Sequence, residues 1–297
     1  SDIFGLKLSK VNTGALENKG WEFEVGYANH LGDFNYRING NFSIINNKVL
    51  TLGLGNVQQR NGMVGNGSDL FIGYPMEMFY GYKTDGLFLD DSEVSSWVDQ
   101  KAIASGSKAG DIRYLDVTGD NKVTPDDRVY LGSRIPKYTF GLNLACNYKQ
   151  FDFSMLLQGV AKVKGLLSRY AGWAFNQEGN IQKWQMEETW NVQKHNRYAK
   201  YPRLETTSNA GGKNTLTSDY WLLDASYLKV RNVQLGYTLP KNTAKNIGIA
   251  ALRMFVSLDN PLTLHHYYKG WDPETTNSSG YYYPTMATYS FGLTLSL

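Results

Sequence analysis

Two adjacent stretches between Ile135 and Val160 alternate apolar with polar residues, and Lys149 and Gln150 separate them. The apolar positions are Tyr138, Phe140, Leu142, Leu144, Cys146 and Tyr148 in the first stretch, and Phe151, Phe153, Met155 and Leu157 in the second. Successive side chains of a strand point to opposite faces, so this period of two predicts a hairpin with one apolar and one polar face. The polar face carries Asn, Thr, Ser, Asp and Gln rather than Lys and Glu.

The same alternation predicts further strands at 21–27, 34–44, 226–239, 252–259 and 287–297, and a weaker one at 2–9. Residues 11–19 have no such pattern and are predicted to form a loop. Within 226–239 the apolar phase changes between Val230 and Val233, which predicts a β-bulge near Arg231. We therefore expect an all-β chain of about eight antiparallel strands.

The connections between these strands alternate in length. Those at 30–33, 149–150 and 240–247 are short, whereas those at about 49–135, 161–220 and 260–284 are long, with short helices predicted in 91–103 and 180–190. Short turns at one end and long loops at the other are typical of outer-membrane β-barrels, in which the long loops are extracellular. A soluble β-sandwich would not enforce this asymmetry, although its strands would alternate in the same way.

The amino-acid composition further restricts the classes of protein to which this chain could belong. The chain has 297 residues and a formal net charge of +3, which does not indicate binding to nucleic acid. Aromatic residues make up 14%, a content that suits either the girdles of a membrane barrel or a sugar-binding surface. The single cysteine, Cys146, excludes an internal disulfide. No signal peptide opens the chain, so we expect it to be a fragment of a longer protein.

Several motifs resemble one family. They are NKGWEFE at 18–24, FYGYKTDGLF at 79–88, GDIRYLD at 110–116, SYLKVRN at 226–232 and DNPL at 259–262. Together they resemble the SusC/RagA group of TonB-dependent receptors, the nutrient importers of Bacteroidetes outer membranes. The resemblance runs over almost the whole chain.

This resemblance implies a transmembrane barrel of about 22 strands around an N-terminal plug, of which this chain supplies the C-terminal part without the plug. It also implies import of a glycan or peptide fragment, an extracellular SusD-like lipoprotein partner, and energy from the TonB complex through the missing N-terminal part. A TonB receptor for a siderophore or cobalamin, and a soluble carbohydrate-binding β-sandwich, remain the alternatives. The sequence contains no nucleophile with a matching base, so we predict no enzyme activity; a glycosidase is the remote third class.

Aromatic residues of the second long connection are the candidates for contact with substrate or partner: Tyr170, Trp173, Phe175, Trp184 and Trp190. Tryptophan and tyrosine rings stack on sugars and anchor protein interfaces. The alternative is that these rings pack the loop itself.

The segment 116–127, DVTGDNKVTPDD, has the spacing of an EF-hand-type Ca²⁺ loop. The predicted ligands are side-chain oxygens of Asp116, Thr118, Asp120 and Asp127, with Thr124 at position 9, and the backbone carbonyl of Lys122. Asn121 replaces the usual glycine, and Asp127 replaces the usual glutamate. We expect a structural Ca²⁺ here; the alternative is an acidic turn in which aspartates accept backbone N–H groups.

Overall fold

A computed structural model describes residues 13–53, 55–59, 62–66, 70–206, 212–268, 270–275 and 279–296. In chain order the strands of these residues are β1 (Ala15–Leu31), β2 (Phe34–Thr51), β3 (Val57–Gln58), β4 (Val64–Gly65), β5 (Met78–Gly81), β6 (Thr84–Leu87), β7 (Ile112–Tyr114), β8 (Val129–Ser133), β9 (Tyr138–Tyr148), β10 (Phe151–Ala161), β11 (Lys164–Leu166), β12 (Leu222–Asp224), β13 (Tyr227–Thr238), β14 (Ala251–His265) and β15 (Thr288–Ser296). The all-β prediction is confirmed. The predicted strand at 2–9 and the final Leu297 lie outside the described residues.

Among the described residues, seven long strands form one sheet in the order β1-β2-β9-β10-β13-β14-β15. Each strand pairs antiparallel with its neighbours. Strands that follow one another in the sheet also follow one another in the chain, so the shorter strands lie within the connections and do not interrupt the sheet. All long connections therefore leave from one end of the strands.

The register places like residues side by side across the sheet. One row reads Tyr27, Ile38, Leu144, Met155, Val233, Leu258 and Tyr289. A neighbouring row on the opposite face reads Ala28, Arg37, Ala145, Ser154, Gln234, Ser257 and Ser290. Directly paired residues share a face, so the sheet has one apolar and one polar face, as the alternation predicts.

The apolar face is broadly exposed in this chain. Trp21 and Phe291, at opposite edges of the sheet, are each 70% exposed. An apolar surface of this extent requires a partner or a lipid phase to cover it. From Trp21 to Leu31 the face extends about 33 Å along β1, which a strand tilt of about 40° would reduce to about 25 Å, the height of the apolar band of a membrane barrel.

The predicted bulge is confirmed at Arg231. Leu156 pairs with Asn232 and Leu157 with Val230, so Arg231 is the extra residue of β13. The bulge restores the phase, because Leu228 and Val230 then lie on the same face as Val233. Without it, one end of β13 would present its apolar residues to the polar face.

Some predicted boundaries are wrong. Residues 15–19 are paired strand rather than loop, and β2 and β14 run beyond the predicted 44 and 259. At this end of the sheet β1 and β2 carry mostly polar residues and continue by backbone pairing, whereas β14 keeps apolar Leu262 and Leu264 opposite Val230 and Leu228. The 240–247 turn contains a short helix (Lys241–Asn246).

Short helices lie within both predicted helical segments. They are α1 (Asp91–Ser96), with Asp90 as N-cap, and α3 (Lys183–Glu188), while α2 (Arg169–Gly172) precedes α3 and the turn helix is α4 (Lys241–Asn246). Within the described part of the chain, no helix has the length and apolar character that crossing a membrane requires.

The two faces of β9 provide a direct test. Leu142 lies on the apolar face and its neighbour Asn143 on the polar face. If the apolar face meets lipid, Leu142→Arg should lower the free energy of unfolding by about 2–4 kcal/mol and Asn143→Arg by much less. Denaturant titration of the full-length protein in lipid vesicles, followed by tryptophan fluorescence, measures both. Equal costs would contradict a lipid-facing surface.

Candidate functional site

The first and second long connections share one hydrophobic core. The first contributes Tyr82, Leu87, Ile112, Tyr114 and Val123; the second contributes Ala174, Trp190, Ala199, Tyr201 and Trp221. Aromatic rings in this core meet mostly edge to face, as Tyr201 does with Trp221 at a centroid distance of 5.6 Å. We call this unit, built from residues 70–135, 163–206 and 212–225, the loop cap.

Backbone hydrogen bonds join the two halves of the loop cap. Tyr82 N donates to Thr217 O at 3.0 Å, and Arg203 N donates to Gly110 O at 2.9 Å. Gly110 has a φ of +84°, and a Cβ there would lie 2.4 Å from the Trp190 ring. Only glycine permits this approach, so the GDIRYLD motif is explained in part by the fit between the two connections.

A buried cluster of charges also crosses between the halves. Asp111 is 1% exposed and accepts from Arg203 Nε at 2.6 Å and Asn214 Nδ2 at 2.7 Å, while Lys213 Nζ lies 3.2 Å from its other oxygen. Buried charges are tolerated when they are paired and hydrogen-bonded. This cluster therefore fixes how the second connection sits on the first.

A second group of charges lies beside α1. Glu93 accepts from the Arg197 guanidinium, and the Arg113 guanidinium bonds Asp85 and lies 4.2 Å from the Trp97 ring centroid. The hydrogen bond from Arg197 holds the pKa of Glu93 below its ordinary value despite some desolvation. The contribution of Glu93 to stability is thus present above its ordinary pKa and is lost as the pH falls through the lowered value.

Most of the aromatic residues singled out from the sequence pack into the loop cap. Trp190 is a member of the core, and Trp173, Phe175 and Trp184 are partly buried against it. Tyr170 differs, because it is 39% exposed and its ring meets that of Tyr281 in the third connection at 5.3 Å. Packing accounts for four of these rings, while contact with substrate or partner stays a prediction that is best placed at Tyr170.

The acidic loop has part of the expected shape. Asn121 has a φ of +62°, the left-handed conformation predicted for the position where such loops carry glycine. Val123 is fully buried in the cap core. The Asp116 carboxylate accepts from Gly119 N at 2.6 Å and Asn121 N at 2.8 Å. Partial desolvation raises the pKa of Asp116, but these hydrogen bonds outweigh it and hold the pKa below its ordinary value.

Asp127 uses both carboxylate oxygens within the protein. Oδ1 accepts from Val117 N and Thr118 N at 2.9 and 3.0 Å, and Oδ2 accepts from Thr124 N at 2.7 Å. Among the described residues, no three His, Cys, Asp or Glu side chains converge as a metal site. The Asp116 carboxylate is engaged in the same way by Gly119 N and Asn121 N, and Asp120 Oδ1 accepts from Lys122 N at 3.1 Å. These hydrogen bonds hold the predicted ligands within one short loop. The Ca²⁺ site stays a prediction.

Sequence reasoning missed a charged cluster on the polar face of β13. Lys229 is 1% exposed; its Nζ lies 2.8 Å from Asp272 Oδ1 and 2.5 Å from Glu274 Oε2 in the third connection. Arg231 and Tyr227 also bond Glu274. Burial raises the pKa of both carboxyls, but hydrogen bonds led by Lys229 outweigh it and lower them. The sequence signal that could have revealed this cluster is the presence of Lys229 and Arg231 in a strand whose polar face also carries Asn232 and Gln234.

The geometry defines a class of protein. A sheet with one apolar and one polar face, short turns at one end and a folded loop cap at the other, is the arrangement of transmembrane β-barrels with large outer loops. No protein-family model matches the chain.

Comparison with known proteins narrows this class. The chain is 28% identical over 323 residues to TonB-dependent receptor P3 of Formosa agariphila, covering 98% of this chain and 30% of the relative. It is 24% identical to TonB-dependent receptor SusC of Bacteroides thetaiotaomicron, covering 96% of this chain and 27% of SusC. The homologues of this chain are thus TonB-dependent receptors, SusC among them, and the chain spans about 30% of the length of the curated relatives it matches.

Solved structures share the fold. The chain aligns with a chain of the RagAB peptide transporter at a TM-score of 0.72 and 21% identity, covering 100% of this chain and 31% of that one. An open-open state of the RagAB peptide importer gives a TM-score of 0.69 at 22% identity, covering 96% of this chain and 29% of the other.

The buried charges of the loop cap yield one prediction. Asp111→Ala leaves Lys213 and Arg203 with Glu205 as their remaining carboxylate and should destabilise the cap by about 3 kcal/mol, the lower end of the cost of breaking a buried pair. Hydrogen exchange of residues 82–123 and 174–221 in the full-length protein measures this loss. Glu187→Ala, which removes an exposed pair with Lys183, is the control and should cost at most about 0.5 kcal/mol. Equal protection in the two variants would contradict a structural role for the cluster.

The acidic loop yields another. If it holds Ca²⁺, metal-stripped full-length protein should give a saturable heat on calorimetric titration with Ca²⁺, and Asp116→Ala/Asp120→Ala should abolish it because two oxygen donors are removed. Identical traces without saturable heat in both proteins would leave the loop as a plain acidic turn.

Proposed function

We propose that this chain is the C-terminal part of the β-barrel of a TonB-dependent importer of the SusC/RagA type in the outer membrane of a Gram-negative, Bacteroidetes-type cell. The whole protein imports a glycan or peptide fragment, and a SusD-like lipoprotein works with it on the cell surface. TonB supplies the energy through a part of the molecule outside this chain. We propose no catalytic activity for it.

The observation that carries this proposal is the two-faced sheet with a folded loop cap at only one of its ends. The apolar rows suit lipid, and the polar rows of Asn, Gln and Ser suit a watery lumen. Similarity to TonB-dependent receptors over nearly the whole chain supports the same assignment. A soluble β-sandwich would bury an apolar face that is here exposed at Trp21, Val25 and Phe291.

The substrate class is supported by exposed aromatic residues of the loop cap and of the third connection. Tyr170 and Tyr281 expose neighbouring rings, and Tyr283 is 85% exposed. Such rings can stack on the C–H faces of a sugar or pack on apolar peptide side chains. A peptide is favoured by the likeness to a peptide importer, whereas a glycan is one of the two substrates that the SusC/RagA-like motifs imply. A siderophore or cobalamin receptor would share the barrel but is not favoured by the loop motifs.

The loop cap and the third connection offer a surface to a lipoprotein lid. Salt bridges from Lys229 join the third connection to β13, and the Tyr281 ring of this connection lies beside the Tyr170 ring of the cap. We call the surface at Tyr170 and Tyr281 the rim, and we infer that lid and substrate meet it. Deleting 170–200 would be a poor test, because it removes Ala174, Trp190 and Ala199 from the cap core.

Point substitution at the rim tests the proposal better. In the full-length protein, Tyr170→Ala/Tyr281→Ala should reduce yield of the lid complex and uptake about tenfold, since exposed aromatic anchors carry much of an interface's binding energy. Met186→Ala is the control, because Met186 is 57% exposed on the same cap without an aromatic face. Complex yield is read by affinity purification, and uptake with labelled glycan and peptide mixtures.

Dependence on TonB tests the mechanism. Uptake should cease in cells that lack TonB, while the amount of receptor in the outer membrane stays constant. Uptake that continues without TonB would refute active import, and unchanged uptake and complex yield in the tyrosine variant would leave those rings as packing.

A further inference from the structure

A cavity of about 760 Å³ lies where the sheet meets the loop cap. It opens at the cap ends of β2, β9 and β10. Its lining includes Asn46, Ser133, Lys137, Lys162, Lys164 and Asp224. Its volume lies within the range of about 300–1,000 Å³ that is usual for small-molecule sites. We call this cavity the lysine notch.

Two of the lysines stand beside the apolar face of the sheet. The Nζ atoms of Lys137 and Lys162 each lie 5.8 Å from the ring centroid of Tyr138. Tyr138 is in register with Ile44 on the apolar face, and its ring stacks on Phe42 at 6.0 Å. The two ammonium groups are therefore at the upper border of the surface that we assign to lipid, where aromatic rings mark the interface of a membrane barrel.

The notch is positively charged. Among the described residues, no carboxylate lies within 4.0 Å of the ammonium groups of these three lysines. Asp224, the one carboxylate in the lining, accepts from Ser226 N at 3.0 Å and is the direct cross-strand partner of Lys164, so it offsets part of the charge of that lysine. Gly132 lets Lys164 approach closely, because a Cβ there would lie 2.6 Å from Lys164 Cγ. Three cations against one anion leave a net charge suited to an anionic ligand.

We propose that the lysine notch binds the phosphorylated headgroup of a lipid in the membrane leaflet beside the loop cap. The site lies at headgroup depth, it has room for the headgroup, and Tyr138 and Phe42 below it offer apolar contact for the start of the acyl chains. Lysines near an anionic membrane surface each contribute roughly fivefold in affinity. The proposal rests on the proposed function for the direction of the membrane, but not on what is imported.

The test uses the full-length protein in detergent and native mass spectrometry. The probes are phosphatidic acid and diacylglycerol with identical acyl chains, and inorganic phosphate is the competitor. Wild type should bind phosphatidic acid saturably and far better than diacylglycerol. Lys137→Gln/Lys162→Gln should weaken this binding about thirtyfold, and the exposed Lys162→Gln alone about fivefold, because two charges or one are removed.

The matched control is Lys241→Gln/Lys245→Gln, which removes two exposed lysines from α4 at the opposite end of the strands. It should leave binding unchanged. Equal binding of the two lipids, or equal affinity in notch and control variants, would overturn the proposal. Displacement of the lipid by inorganic phosphate would assign the notch to free anions instead.

The lipid site and the proposed transport function are tested by separate measurements. Lipid selectivity is measured on purified protein, whereas the proposed function is measured as TonB-dependent uptake. Loss of TonB dependence with selectivity intact would refute the transport function and leave the lipid site standing. The reverse result would refute the lipid site alone.

Discussion

Antiparallel backbone pairing in continuous register is the constraint on which this structure depends. In hydrocarbon, an unpaired N–H or C=O group costs several kcal/mol, so strands that meet lipid must satisfy each other's backbone groups. The register then decides which side chains share a face, and a slip of one residue would exchange the two faces. The bulge at Arg231 maintains the two faces, because this one extra residue corrects the phase of β13.

The loop cap follows a different principle from the sheet. Its stability comes from a buried core of aromatic rings and from charges that are paired across the two connections, as in a soluble domain. Long connections in compact domains are usually functional loops, and here two of them fold against each other instead of remaining separate. The cap presents Tyr170 at its surface, where its ring meets that of Tyr281 in the third connection.

The lysine notch lies between the sheet and the loop cap. Below it the sheet has an apolar face, and above it the cap has a polar surface. Side chains with a long apolar stem and a charged head suit such a border, because the stem lies on apolar surface while the head stays among polar groups. Lys137 and Lys162 meet this condition on either side of Tyr138. The charges of Lys229 and Arg231 are instead neutralised by Asp272 and Glu274 at the polar face.

The sequence by itself determined the strands, their two faces, the bulge and the end of the sheet that carries the long connections. These depend on local periodicity, which a strand converts directly into geometry. The extra length of β1 and β2 was not predictable, because backbone pairing among mostly polar residues needs no alternation. In β14 the Asn260-Pro261 step breaks the period of two before apolar Leu262 and Leu264 resume it. The tertiary structure alone decided that Trp190 and its neighbours are packing residues, that Asp111 and Lys213 are partners, and that Lys137 joins Lys162 and Lys164 in the lining of one cavity. Each of these depends on contacts between residues far apart in the chain, which no local pattern encodes.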